Sequence, residues 1–436
     1  MSDQIRTLID ESKLTGVQIT VVAVCFFLNM LDGMDVLAIS FAAPAIAEEW
    51  SISRQSLGVV FSAALVGMTA GALVLSPLTD VIGRRKMILI SLVMISLGMV
   101  ATSLADSILM LIVLRFLAGL GIGSMLASMT SMVSEYAPDR WRNVFILVLH
   151  ASYSIGAIII GFVAAYLVPI HGWRPLFIVA GCASAVGIPL VWFLLPESLD
   201  FLTSKQPSQA LERVNKVLSR MGHAVLETLP ARREGERSVG LASILGEPFR
   251  QRTISLWLAF FMGFATLYFL LSWVVTLALE AGLALENAIW AGVCLNLGAF
   301  FGSVSLGILS NRFGLTRIIG VFFLFSAVFV IAYGTARVNV ALVLMLVFLL
   351  MYFVQGAFTG LYAVAARLYP TEIRTTGIGW AIGAGRLGAI FGPIVAGLLL
   401  GAGVTIGWTF AVYAIPMILG AVFVTRIRLT ESGATG

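Results

Sequence analysis

The chain has 436 residues, 59% of them hydrophobic and only 11% charged, with a mean hydropathy of +1.01. A soluble domain carries roughly a quarter charged residues, so no water-soluble fold hides this much apolar surface and the bilayer is the expected solvent. The net charge of +5 and pI near 9.3 do not indicate nucleic acid. Lys and Arg sit in short clusters between apolar runs, as membrane topology arranges them.

In chain order, Met1 to Gly16 is polar and holds Asp3, Asp10 and Glu11, unlike a cleaved signal peptide. A spanning helix needs about 20 mainly apolar residues. Twelve runs qualify: 18–46, 56–79, 86–105, 108–134, 143–168, 173–195, 253–279, 287–310, 315–336, 339–366, 375–400 and 405–425. With the N-terminus inside, the cytoplasmic segments receive Arg84, Arg85, Lys86, Arg140, Arg142, Arg312, Arg317, Arg367 and Arg374, and the outer loops only Arg54, Arg174 and Arg337. Positive charge retained inside therefore places both termini in the cytoplasm of an inner-membrane protein. The polar stretch 196–252 divides the chain into bundles 1–195 and 253–436; within it, residues 208–221 show helical apolar spacing, as in an amphipathic helix on the cytoplasmic face. Cys25, Cys182 and Cys294 each lie in an apolar run, at spacings that suit neither zinc nor a disulfide framework.

The two bundles repeat each other. Pro138 and Pro370, Arg142 and Arg374, Gly156 and Gly388, and Glu48 and Glu280 all share one offset (388 − 156 = 232). Between the second and third runs of each half the offset is one shorter: Ser76-x3-Asp80-x2-Gly83 matches Gly307-x3-Asn311-x2-Gly314, and 311 − 80 = 231. Such a duplication predicts an all-α membrane protein of twelve helices in two pseudo-symmetric six-helix bundles, with the solute site near mid-membrane.

TDVIGRRK (79–86) resembles the loop signature of the major facilitator superfamily, with Ser76 and Val81 in place of the usual Gly and Arg. RFLAGLGIG (115–123) is similar to its fourth-helix signature and LPES (195–198) to the close of its sixth span. LDGMD (31–35), SEYAPDRWRN (134–143) and YPTEIRTTGIGWAIGAGRLGAIFGP (369–393) together resemble the aromatic acid:proton symporter branch. The resemblance covers nearly the whole chain. It implies the major facilitator fold, uptake of a small aromatic carboxylate by alternating access, and an acidic pair in proton coupling.

Ionisable groups inside a membrane cost several kcal/mol unless paired or hydrated, so each is informative. Asp32 and Asp35 share a face of the first run. Two carboxylates this close repel when both are ionised, and a carboxyl held near neutrality suits a reversible proton carrier. Arg115 lies about 9 Å and the aspartates about 15 Å from the outer ends of their runs, depths that permit a salt bridge between them. A static structural pair is the alternative for both features. Arg386 lies about 18 Å from the cytoplasmic start of the eleventh run, where a planar guanidinium suits a substrate carboxylate; a structural partner for an unseen acid is its alternative.

Asn29, Tyr153, Tyr268, Gln355 and Trp380 have depths that reach a central cavity and suit an aromatic ring better than a polyol. Asp80, Gly83, Arg84, Arg85, Glu135, Arg142 and Arg374 cluster at cytoplasmic helix ends as an inner gate. His150 reads as a hydrogen-bonded core residue or a relay. The three histidines, His150, His171 and His223, lie in unrelated regions, and no HExxH or GxSxG occurs. No enzyme, metal or cofactor is therefore expected, and the chain is expected to act as a monomer on a small solute and protons. Rival readings are a symporter for a sugar, polyol or nicotinate, a drug/proton antiporter, and a nutrient sensor without transport. The fifth run reads SIGAIIIGF (154–162), without the Gly-Pro of exporters, which counts against antiport.

Overall fold

The computed structural model describes residues 3–11, 14–229, 241–247, 249–335, 339–369 and 371–427. Helices dominate, and among the described residues no strand occurs. Among those residues twelve helices are long and apolar enough to cross a membrane. Numbered as spans 1 to 12, they are Gly16–Trp50, Arg54–Ile82, Arg84–Ser103, Ile108–Tyr136, Asp139–His171, Arg174–Leu194, Arg250–Glu280, Leu285–Ser310, Leu315–Thr335, Val340–Leu368, Thr376–Gly401 and Ile406–Thr425. Each matches one apolar run of the sequence, and most extend past the apolar stretch at one end or both. The protein is an all-α membrane protein.

Glycines set how closely the spans approach. Gly67 and Gly71 of span 2 rest on the backbone carbonyls of Phe116 and Leu120 in span 4. Gly298 and Gly302 of span 8 rest in the same way on Phe348 and Tyr352 of span 10. The offsets are those of the internal repeat: 298 − 67 = 231 and 302 − 71 = 231 for the glycines, 348 − 116 = 232 and 352 − 120 = 232 for the carbonyls. Gly156 packs span 5 on Met30 of span 1, and its counterpart Gly388 packs span 11 on Phe261 of span 7. The duplication therefore survives as matching sites of backbone contact, where small residues let helices approach. Span 2 also contains a π-helical turn at Gly71–Leu75, just before Pro77. The missing N–H of Pro77 breaks the regular ladder there, and the wider turn accommodates the break.

By compactness the chain divides into two units, Met1–Val36, Val66–Ile160 and Arg174–Glu236 in one, Leu37–Leu65, Gly161–Trp173 and Arg237–Gly436 in the other. In the first, the region after span 6 folds back as short helices, Leu199–Lys205 and Ala210–Arg220. The apolar side of the latter is covered by protein, with Val214 and Leu218 fully buried. Asn215 pins it by two hydrogen bonds with the Leu226 backbone, at 2.9 and 2.8 Å. In the second unit Arg54 forks onto Glu280 (3.1 and 3.0 Å) and donates to the Leu400 carbonyl at 3.2 Å. Beside that pair, Gly397 lies against the Arg54 backbone and Ser62 donates to the Ile390 carbonyl at 2.8 Å.

Gly33, between the two acids of span 1, faces the Tyr153 carbonyl of span 5 with no room for a methyl group. Gly33→Ala forces the spans apart at the level of Asp32 and Asp35, an overpacking cost of about 1–3 kcal/mol. The expected result is a lower thermal midpoint of the detergent-purified protein. Gly379→Ala serves as the control, since nothing lies within van der Waals range of a methyl there, and its midpoint stays unchanged.

Candidate functional site

The chemistry-bearing residues of the first unit are collected by spans 1, 4, 5 and 6. Asp32 and Asp35 are 2% and 1% exposed. Asp35 Oδ2 accepts a hydrogen bond from the Ser184 hydroxyl of span 6 at 2.7 Å. Among the described residues no protein donor reaches Asp32, and one oxygen of each acid is buried without a partner. Arg115 is 1% exposed. It donates to Thr102 Oγ1 at 2.9 Å and meets Met99 Sδ at 2.8 Å, with its guanidinium 5.0 Å from the centre of the Phe177 ring. The charges of Arg115 and Asp35 act on one another, but no direct ion pair joins them among the described residues. Span 3 and the Phe177 ring hold the guanidinium, so the contact between spans 1 and 4 expected from depth alone is electrostatic and indirect.

Asn29 was expected to face solute. Its amide nitrogen instead donates to the Leu149 carbonyl at 2.6 Å and to Ser152 Oγ at 3.1 Å, tying span 1 to span 5. That bond sits one turn from the Gly33–Tyr153 crossing and serves the same junction. Tyr153 lends its backbone carbonyl to this crossing.

The second unit places a cation within electrostatic reach of an aromatic cluster. Tyr268 of span 7 and Tyr362 of span 10 both lie within the electrostatic reach of Arg386 on span 11, and of each other. Phe264 stacks on Tyr268 with ring centres 5.9 Å apart and meets Phe358 edge-on at 4.5 Å. Phe260 and Phe358 each pack edge-on against Tyr362, at 5.2 and 5.4 Å. Gly385, next to Arg386, admits the Phe264 ring where any side chain would collide with it. Among the described residues Arg386 has no hydrogen bond and no ion pair, so its donors are uncommitted to protein. Among the described residues Gln355 makes only a long contact with Thr359 Oγ1, at 3.5 Å. Trp380 stacks on Trp257 at 6.0 Å, a contact separate from the rings around Arg386. Tyr362 is the residue that sequence reasoning left out of this set. Its spacing of four from Phe358 was the available signal.

A polar cluster gathers at the ends of spans 2 to 4 nearest the chain's start. Arg84 forms an ion pair with Glu135, donates to Ser198 Oγ at 2.8 Å and approaches Asp200 at 3.6 Å. Ser198 Oγ in turn donates to Glu135 at 2.6 Å. Glu197 accepts from the Arg85 backbone N–H at 2.9 Å, capping span 3 where its negative charge suits the helix dipole. It lies against Gly83, whose φ of 99° favours glycine. Arg85 bonds the Trp192 carbonyl and lies over its ring. Gly83, Arg84, Arg85 and Glu135 are thus brought together, with Glu197, Ser198 and Asp200 added from LPES and the residues after it. Asp80 is exposed and makes no bond among the described residues. Arg142 belongs to a neighbouring group with Asp10 and Asp139. The side chain of Arg374 lies outside the described residues. His150 is exposed and forms no hydrogen bond among the described residues.

Comparison with known proteins agrees with this architecture. The family profile described as Major Facilitator Superfamily matches residues 25–305 and 256–435. The chain is 34% identical to the 4-hydroxybenzoate transporter PcaK of Pseudomonas aeruginosa, over 98% of this chain and 95% of that protein. It is 31% identical to the gallate transporter of Pseudomonas putida, over 98% and 97% respectively. Its fold is similar to the crystal structure of a D-xylose-proton symporter, with a TM-score of 0.76, 16% identity, and coverage of 96% of this chain and 99% of the other.

Proposed function

We propose, for a chain that belongs to the major facilitator superfamily and within it to the aromatic acid:proton symporter branch, that it imports small aromatic carboxylates with protons across the inner membrane, by alternating access and without covalent chemistry. The observation that carries the substrate class is Arg386: a guanidinium with donors uncommitted among the described residues, within electrostatic reach of the Tyr268 and Tyr362 phenols. A guanidinium fork matches a carboxylate in two hydrogen bonds, and the rings offer faces and edges to an arene. The relatives named for 4-hydroxybenzoate and gallate support the same class.

Coupling follows from electrostatics. A monoanion entering against a negative interior costs about 2.3 kcal/mol per 100 mV, and one accompanying proton cancels that charge. In this reading Asp32, with no protein donor reaching it among the described residues, carries the proton. Asp35, held by Ser184 and within the field of Arg115, senses it. Retention of positive charge on one side puts both termini in the cytoplasm and makes the Arg84–Glu135 cluster part of the inner gate. A single chain contains both the acid pair and the guanidinium, so a monomer suffices.

The test is uptake of labelled 4-hydroxybenzoate into proteoliposomes with an acidic exterior. Accumulation above equilibrium, abolished by a protonophore and competed by benzoate and gallate but not xylose, is the expected result. Uptake indifferent to the protonophore sinks the coupling, and competition by xylose sinks the substrate class.

A further inference from the structure

The helix Asp3–Glu11 precedes every span, and its apolar residues Ile5 and Ile9 are fully buried. Between them Arg6 reaches the elbow that joins span 4 to span 5. Its guanidinium donates to the carbonyls of Ser134, Glu135 and Ala137 at 3.2, 3.3 and 3.0 Å. Ser134 and Glu135 lie in the last turn of span 4 and Ala137 just past it, where carbonyls lack helical partners and the helix dipole is negative. One turn later Asp10 does the complementary work. It accepts from the Asp139 backbone N–H at 2.8 Å, the positive start of span 5, and from Arg142 at 3.2 Å. Arg6 Nε also bonds Asp10 at 2.9 Å, closing the two halves of the contact into one unit.

We propose that Arg6 and Asp10 are positioning residues of the gate: they brace the 134–142 elbow, and so hold Glu135 where Arg84 and Ser198 engage it. Glu135 is gripped from both sides, its carboxylate by Arg84 and Ser198 and its carbonyl by Arg6. The elbow has no other charged group supplying both a cation to its first helix and an anion to its second among the described residues. Loosening it shifts the Glu135 backbone and with it the carboxylate, so the effect falls on the rate at which the gate cycles and leaves solute affinity alone. The functional part of this inference rests on the transport reading given above.

The experiment has two arms. In a background with Cys25, Cys182 and Cys294 replaced by alanine, Ala137→Cys reports the elbow directly, since Ala137 is fully buried beneath the Arg6 contact. Adding Arg6→Gln is expected to speed maleimide labelling of purified protein by about tenfold as the elbow opens locally. In the second arm, Arg6→Gln lowers the maximal rate of 4-hydroxybenzoate uptake by about fivefold with KM within about twofold of the parent, and Arg6→Lys recovers most of the rate. Asp10→Asn, which removes the brace from its other end without changing volume, is read in both assays and shows the same pattern if Arg6→Gln aggregates. Unchanged labelling, or a change confined to KM, overturns the proposal. A parent protein that moves no 4-hydroxybenzoate overturns the substrate reading instead, and the labelling arm still decides the brace.

Discussion

Arg386→Ala is expected to raise the KM for 4-hydroxybenzoate at least about a hundredfold. Two charge-assisted hydrogen bonds to a carboxylate are worth about 1.5–3 kcal/mol each, and each 1.4 kcal/mol is a factor of ten. Arg386→Lys recovers only part, because an ammonium cannot reproduce the planar fork. The variant remains folded and monodisperse, since no protein carboxylate among the described residues depends on this guanidinium. Arg115 provides the contrast. Its side chain is committed to Thr102, Met99 and the Phe177 ring and shares a field with Asp35, so its removal also costs stability. Initial rates over a range of substrate concentrations settle the prediction. A KM within threefold of the parent, roughly 0.7 kcal/mol, removes Arg386 from the substrate site.

The architecture was readable because it is written in long patterns. Apolar runs of bilayer length, clusters of Arg and two nearly constant repeat offsets each extend over many residues and survive local exceptions. The offsets do not say which glycines meet which carbonyls, and only the structure shows Gly67 and Gly298 in equivalent contacts. What stayed hidden depends on helix neighbours. Ser184 is one serine in an apolar run, and nothing in its sequence surroundings marks it as the donor to Asp35. Asn29 looked like a polar wall residue because its partners, Leu149 and Ser152, lie on another span. Glu197, Ser198 and Asp200 were legible only as part of a signature or not at all, and their engagement with Arg84 and Glu135 needs the chain to fold back after span 6. The polar N-terminal segment did carry a signal. Ile5 with Ile9, and Arg6 with Asp10, are both spaced by one helical turn, but a nine-residue helix is too short to stand alone and needs the elbow to dock on.

The same repeat explains why chemistry is divided between the halves. At either offset, 231 or 232, Asp32 falls on Gly263 or Phe264, Asp35 on Thr266 or Leu267 and Arg115 on Leu346 or Val347, while Arg386 corresponds to Ser154 (386 − 154 = 232). One half has acids where the other has uncharged residues, and the cation proposed to bind the anion has no charged counterpart. In the function proposed above, proton handling and anion binding fall to different copies of the repeat. Separating them by mutation should separate coupling from transport. Asp32→Asn and Asp35→Asn each mimic a permanently protonated acid, and the amide oxygen at position 35 still accepts from Ser184. Both variants are expected to lose accumulation driven by a pH gradient and to keep substrate-for-substrate counterflow, which needs no net proton movement. A gradient of two pH units supplies about 2.7 kcal/mol per proton, or about a hundredfold accumulation. The internal-to-external ratio should thus fall from up to that value to one. A ratio that stays high in both variants shows that neither aspartate carries the proton. Loss of counterflow together with accumulation, in protein that remains monodisperse, shows instead that the acids serve the conformational change itself.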